Sequence, residues 1–190
     1  MTANATHHTG YSAIASPRIS DHALADHLHS TLAPAPHTAE EISALVTLLR
    51  AARASTITIG HGRHTTSRDT ASAVTDAWNC AGGTVLGTVN WPARAASWLK
   101  PARQMVRTHP DAWVIVDNPA GCAQLSMRLV EQKDWSAVRT FGTASMDSPD
   151  AAALTCFGVL TGMRGVTADG RTWRIGHGLL LRDQATTVIR

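Results

Sequence analysis

The amino-acid sequence predicts a single α/β domain of three layers, in which a mostly parallel sheet of four to five strands lies between helices. Three observations predict it. From residue 56 onward, near-continuous apolar, β-branched runs alternate with stretches of helical periodicity, the pattern of strands covered on both faces by crossover helices. Right-handed crossovers of that length make successive strands parallel. The chain has 190 residues, 44% hydrophobic and 16% charged, enough to bury one core and too few for two.

Element by element, residues 1–17 are rich in Ala, Thr and Ser without periodicity and read as a mobile tail. Residues 18–53 read as N-terminal helices. Ser20-Asp21 caps "DHALADHLHSTLA", where Leu24, Leu28 and Leu32 share a face and "PAP" at 34–36 stops the helix. Thr38 and Glu41 form a capping box for "TAEEISALVTLLRAARA", with Ile42, Leu45, Leu48 and Leu49 as the apolar stripe. Residues 54–190 form the α/β unit. "TITIG" is its first strand, and "SRDTASAVTDAWNCAGG" a helix ended by Gly82 and Gly83. "TVLGTVNW" is the second strand, followed by a helix over "ARAASWLKPARQMVRTH" that Pro101 should kink. "AWVIVDN" is the third strand, "AGCAQLSMRLVEQ" the third helix and "VRTFGTAS" the fourth strand. A short helix runs through "AAALTCFGVL", and a C-terminal hairpin from about residue 163 turns at Asp169-Gly170.

Bulk chemistry excludes several classes. Net charge is +3 and pI about 9.1, but the 17 Lys and Arg are dispersed, without the basic runs and interleaved aromatics that grip nucleic acid. No run of eighteen apolar residues exists to span a membrane. The N-terminal segment lacks the basic and apolar regions of a secretory signal. Cys80, Cys122 and Cys156 have no C-x-x-C spacing and read as small buried apolar residues in a reducing compartment, so the expected location is cytoplasmic.

In a parallel sheet, ligands meet the loops at the carboxyl ends of the strands, here residues 60–67, 90–94, 117–121 and 144–150. The stretch "GHGRHTTS" is the main candidate. Gly60 and Gly62 let the backbone fold closely, while Arg63, Thr65, Thr66 and Ser67 supply donors at a helix start, as an anion site requires. The alternative is an ordinary helix cap by Ser67 or Thr66, with Arg63 in solvent. His61 and His64 flank this loop, either as general bases near neutral pH or as exposed loop residues. His22, His27 and His29 do not converge on one helix face, and no Glu or Cys stands at ligand spacing, so no metal is expected. Neither a Gly-x-Ser-x-Gly nucleophile nor a Cys beside a His is present. Asp147 and Asp150 read as a carboxylate pair or, more economically, Ser148 or Asp147 is the cap of a helix starting at Pro149. Trp78 and Trp98 are core candidates. Trp91, placed on the loop after the second strand, is positioned to stack on a ligand or partner.

Three segments carry a family resemblance: "SRDTASAVTDAWNCAGGTVLGTV", "PDAWVIVDNPAGCAQLSMRL" and "GVLTGMRGVT". Their order and spacing over roughly residues 55–168 resemble the second lobe of type I periplasmic binding proteins, the branched-chain amino-acid receptors of ABC importers. The family's Tyr-Gly before Arg-Asp is replaced by Thr66-Ser67, and the expectation is a lobe without the family's first lobe or signal peptide. The resemblance implies a periplasmic-binding-protein-like lobe with flavodoxin-like winding and one wall of a ligand cleft. Its contacts would be Thr66 and Ser67, Asp117 or Asn118, and Ser145 or Asp147. The implied function is a non-catalytic small-molecule-binding or partner-docking lobe, completed by a second chain or copy and extending to an accessory subunit of a biosynthetic enzyme. No cofactor is expected. Residues 60–67 also resemble, one residue short, the phosphosulfate loop of bacterial sulfotransferases. That implies the alternative of a group-transfer enzyme using a phosphosulfate-type donor.

Overall fold

The computed structural model describes residues 33–93, 97–154, 158–176 and 178–183; the helix expected over 20–32 and Cys156 lie outside them. Helix α1 spans Ala39–Ala51, and the Thr38 hydroxyl accepts the Glu41 N–H at 3.0 Å, the N-cap that the spacing predicts. Strand β1 (Thr56–Gly62), helix α2 (Thr65–Cys80) and strand β2 (Thr84–Trp91) follow. Helix α3 (Leu99–Val106), β3 (Ala112–Val116) and α4 (Pro119–Leu129) come next. The rest is β4 (Thr140–Gly142), the short α5 (Pro149–Ala153), and β5 (Arg164–Val166), β6 (Thr172–Gly176) and β7 (Leu179–Arg182).

All seven strands join one sheet in the order β2-β1-β3-β4-β5-β6-β7. The first five run parallel in the flavodoxin-like order, β6 runs antiparallel to β5, and β7 runs antiparallel to β6. The sheet is therefore wider than the four to five strands expected. The tight turn between Thr167 and Arg171, with Gly170 at φ +79°, folds the hairpin back onto β5 and continues the same ladder. Three-residue strands such as β5 are too short to show alternation in sequence.

The period of two along each strand sorts the core into two layers. Ile57, Ile59, Val114 and Val116 meet Leu45, Leu49, Val74 and Trp78 of α1 and α2. On the other face Trp113 and Ile115 meet Met105, Leu125 and Leu129 of α3 and α4. Each such large apolar side chain removed from water contributes about 1.5–3 kcal/mol. No helix among the described residues is long and apolar enough to cross a membrane.

Several local expectations are corrected. Helix α3 is only eight residues long, and Pro101 is its third. There its missing N–H is one of the helix's free donors anyway, so Pro101 sits in the first turn of α3 and kinks nothing. Trp98 precedes α3 and is half-buried rather than core. Cys80, the last residue of α2, is exposed, whereas Cys122 is buried and its thiol is pushed up to about 12 by burial. The fourth strand shrinks to three residues because 3-10 turns at Ala137–Arg139 and Ala144–Met146 bracket it.

Candidate functional site

The strand order reverses between β1 and β3, so the carboxyl ends of these strands open on the crevice where such sheets bind ligands. Asp117 stands at the end of β3. It is 3% exposed, its Oδ2 accepts the Trp91 indole N–H at 2.7 Å, and its Oδ1 accepts the Asn118 N–H at 2.8 Å. Burial holds its carboxyl above the ordinary value, against the Trp91 and Asn118 hydrogen bonds and the nearby His64 and His61 rings, which lower it. Two glycines make room for it. A Cβ on Gly121 would come within 1.9 Å of the Asp117 carboxylate, and one on Gly62 within 2.4 Å.

The expected eight-residue cradle over 60–67 is not a loop. Gly60 and His61 pair with both β2 and β3, Gly62 still pairs with β2, and α2 starts at Thr65, which leaves Arg63 and His64 as the connection. Gly60 is needed for packing rather than for a turn: a Cβ there would meet the Trp91 ring at 2.6 Å and the Met105 sulfur at 2.7 Å. The expected cap by Ser67 or Thr66 is also overturned. His64 occupies the N-cap position of α2, and no side chain caps it. His61 is buried, with Nδ1 2.6 Å from the Gly62 carbonyl oxygen, not an exposed loop residue. Arg63 is exposed, and its Nε donates to Asn90 Oδ1 at 2.9 Å, on the β2 side of the sheet. Thr65 is exposed in the first turn of α2.

Trp91 is the clearest correction. It closes β2 instead of following it, is fully buried, and spends its N–H on Asp117, so no ring face is left to stack on a ligand. Other expected contacts have structural partners too. Asn118 caps α4 by accepting the Gly121 N–H at 2.8 Å. Ser145 donates to the Asp117 carbonyl at 2.7 Å. Asp147 pairs with Arg182 of β7 at 2.7 Å, while Ser148 caps α5, so Asp147 and Asp150 do not act as a carboxylate pair.

Three polar side-chain atoms without a partner gather at the start of α2, while others among the described residues, on Trp78, Trp98, Trp135 and Arg164, lie elsewhere. His64 Nε2, Thr66 Oγ1 and Ser67 Oγ are buried without a hydrogen-bond partner, at a helix N-terminus with no side-chain cap. Sequence reasoning missed Glu41 nearby, a buried carboxylate whose Oε1 accepts the Ala144 N–H at 2.8 Å and ties α1 to the end of β4. Its signal was present, a charged residue beside the apolar stripe of α1, but the capping-box pattern accounted for it. Among the described residues no group of three or more His, Cys, Asp or Glu side chains converges as a metal site.

No family model and no curated protein matches the chain. Solved structures do. A putative branched-chain amino acid ABC transporter protein from Rhodospirillum rubrum matches at TM-score 0.59 and 15% identity, covering 67% of this chain and 37% of that one. A Rhodopseudomonas palustris protein matches at TM-score 0.60 and 14% identity, covering 70% of this chain and 37% of that one. A solute-binding protein of an R. palustris ABC transporter, solved in complex with 4-hydroxybenzoate, matches at TM-score 0.55 and 13% identity over 66% of this chain and 34% of its own. The fold is that of one lobe of a periplasmic binding protein. This lobe spans little more than a third of the length of the receptors it matches, and at these identities the likeness is one of fold.

Proposed function

We propose that this lobe is a non-catalytic binding module that offers one wall of a cleft to a small ligand bearing a carboxylate or similar anionic group. The observation that carries the reading is the start of α2. An N-terminus without a side-chain cap presents free N–H groups and the positive end of the helix dipole. Beside them stand the unpartnered His64 Nε2, Thr66 Oγ1 and Ser67 Oγ. Buried polar atoms without partners are costly, and a ligand's oxygens would satisfy them. A clamshell needs a second wall, which a second protein surface supplies; if that surface belongs to an enzyme, the lobe is an accessory subunit. The group-transfer alternative needs a loop that wraps a donor's phosphates, and the two-residue link Arg63-His64 gives it no support.

The test is calorimetric titration with leucine, 4-hydroxybenzoate and acetate. Ser67→Ala and Thr66→Ala should each weaken the ligand that binds by about tenfold, the worth of one good hydrogen bond. Absence of heat with all three, or unchanged affinity in both variants, rejects the reading. Co-purification from the native host, with the recovered chain shown to bind the purified lobe, tests the second wall.

A further inference from the structure

A separate feature lies along the free edge of the sheet, between β2 and α3, where a cavity of about 520 Å³ opens. Its origin is local. The β1–β2 register skips Leu86, so that Ile57 pairs with Val85 and Thr58 with Gly87. Gly87 then presents no side chain toward α3, and a Cβ placed there meets nothing within 4 Å. The floor is polar and built: Thr58 is 1% exposed, and its hydroxyl lies 2.9 Å from that of Thr108.

The rim carries three cations. Lys100 and Arg107 stand seven residues apart, about two turns along one side of the chain segment that contains α3. Arg63 joins them from the β1–α2 link, held through its Nε by Asn90. No Asp or Glu is among the described residues that line the cavity, and the ion pairs among described residues use none of these three cations. Three like charges facing one polar cavity repel each other, and an anion placed among them relieves that cost.

We propose that this cavity is a second binding site, for a small molecule carrying a phosphate group. A phosphate offers oxygens in several directions, which suits two guanidinium forks and an ammonium on the rim together with a hydroxyl floor. The volume lies in the range of small-molecule sites, and the polar lining disfavours an apolar ligand. The proposal is independent of the carboxylate site at α2, because its residues are separate from His64, Thr66 and Ser67.

The experiment is titration of the full chain at low salt with inorganic pyrophosphate, ribose 5-phosphate and a hexaglutamate peptide. Pyrophosphate or ribose 5-phosphate should bind, with affinity falling as salt rises. A tighter fit for ribose 5-phosphate marks an organic phosphate, and a tighter fit for pyrophosphate a free one. Lys100→Ala and Arg107→Ala should each weaken binding by about tenfold, the worth of one charge-assisted hydrogen bond. Gly87→Leu should abolish binding by filling the cavity with the melting temperature kept, and Ser67→Ala should leave it unchanged. The proposal is overturned if neither phosphate binds, if hexaglutamate alone binds, or if the lysine and arginine variants bind as tightly as the parent. Should Gly87→Leu fail to fold, the two charge variants decide.

Discussion

The indole N–H of Trp91 donates to the Asp117 carboxylate at 2.7 Å, joining the last residue of β2 to the residue after β3 across β1, with both side chains buried. This bond turns an aromatic residue placed for ligand contact into a support of the sheet's carboxyl edge. Trp91→Phe keeps most of the ring but leaves a buried carboxylate oxygen without its donor. It should cost about 1–3 kcal/mol, seen as a lower urea midpoint at unchanged slope. An unchanged midpoint would mean that water replaces the indole.

Stability should also respond to pH in opposite senses at the two ends of β3. Burial raises the Asp117 carboxyl above its ordinary 3.8, so its folded state prefers the proton. Its contribution is fully present below 3.8 and is lost as pH rises through the raised value. Asp111, before β3, accepts the Ser55 and Thr56 N–H groups at 2.9 and 2.8 Å, which hold it below 3.8. Its contribution is present above 3.8 and is lost as pH falls through the lowered value. Melting curves from pH 2 to 7 check this: Asp117→Asn should flatten the profile above about pH 4, and Asp111→Asn the profile below it. Identical profiles for the two variants would contradict the assignment.

Gly121→Ala should be poorly tolerated even though Gly121 lies in a helix, where alanine ordinarily stabilises. The new methyl would lie 1.9 Å from Asp117 Oδ2, so the carboxylate or the start of α4 must move, at about 1–3 kcal/mol. A variant more stable than the parent would show that Asp117 has an alternative rotamer.

Ser67→Ala should not destabilise the fold. The Ser67 hydroxyl is buried and caps nothing, so removing it takes away an unsatisfied group, and the melting temperature should hold or rise. A loss of about 1 kcal/mol, the usual cost of deleting a cap, would mean that Ser67 does cap α2 in solution.

Val116→Asp should prevent folding. Val116 is 1% exposed in the α1–α2 core layer, and an unpaired carboxylate there costs several kcal/mol, most of a domain's margin. Native-like circular dichroism and a cooperative melt would contradict that burial.

The sequence by itself determined the α/β class, the parallel core of the sheet and the starts of α1 and α5. The reasons are local or periodic. Ile57 and Ile59 alternate within a run that reads as a strand, Thr38 and Ser148 cap helices within their own turns, and Gly82 ends α2 at φ +83°. The carboxyl-end region was legible for the same reason, since strand direction alone says which loops share an edge. Only the tertiary structure decided what each residue there does. Trp91 and Asp117 are 26 positions apart and Glu41 and Ala144 are 103 apart, and no local pattern encodes such pairings. Nor does sequence reveal that Gly60, Gly62 and Gly121 stand aside for Trp91 and Asp117, or that Gly87 opens a cavity on the free edge. Those roles depend on which side chains arrive from distant strands, and close packing settles that only when the whole sheet is assembled.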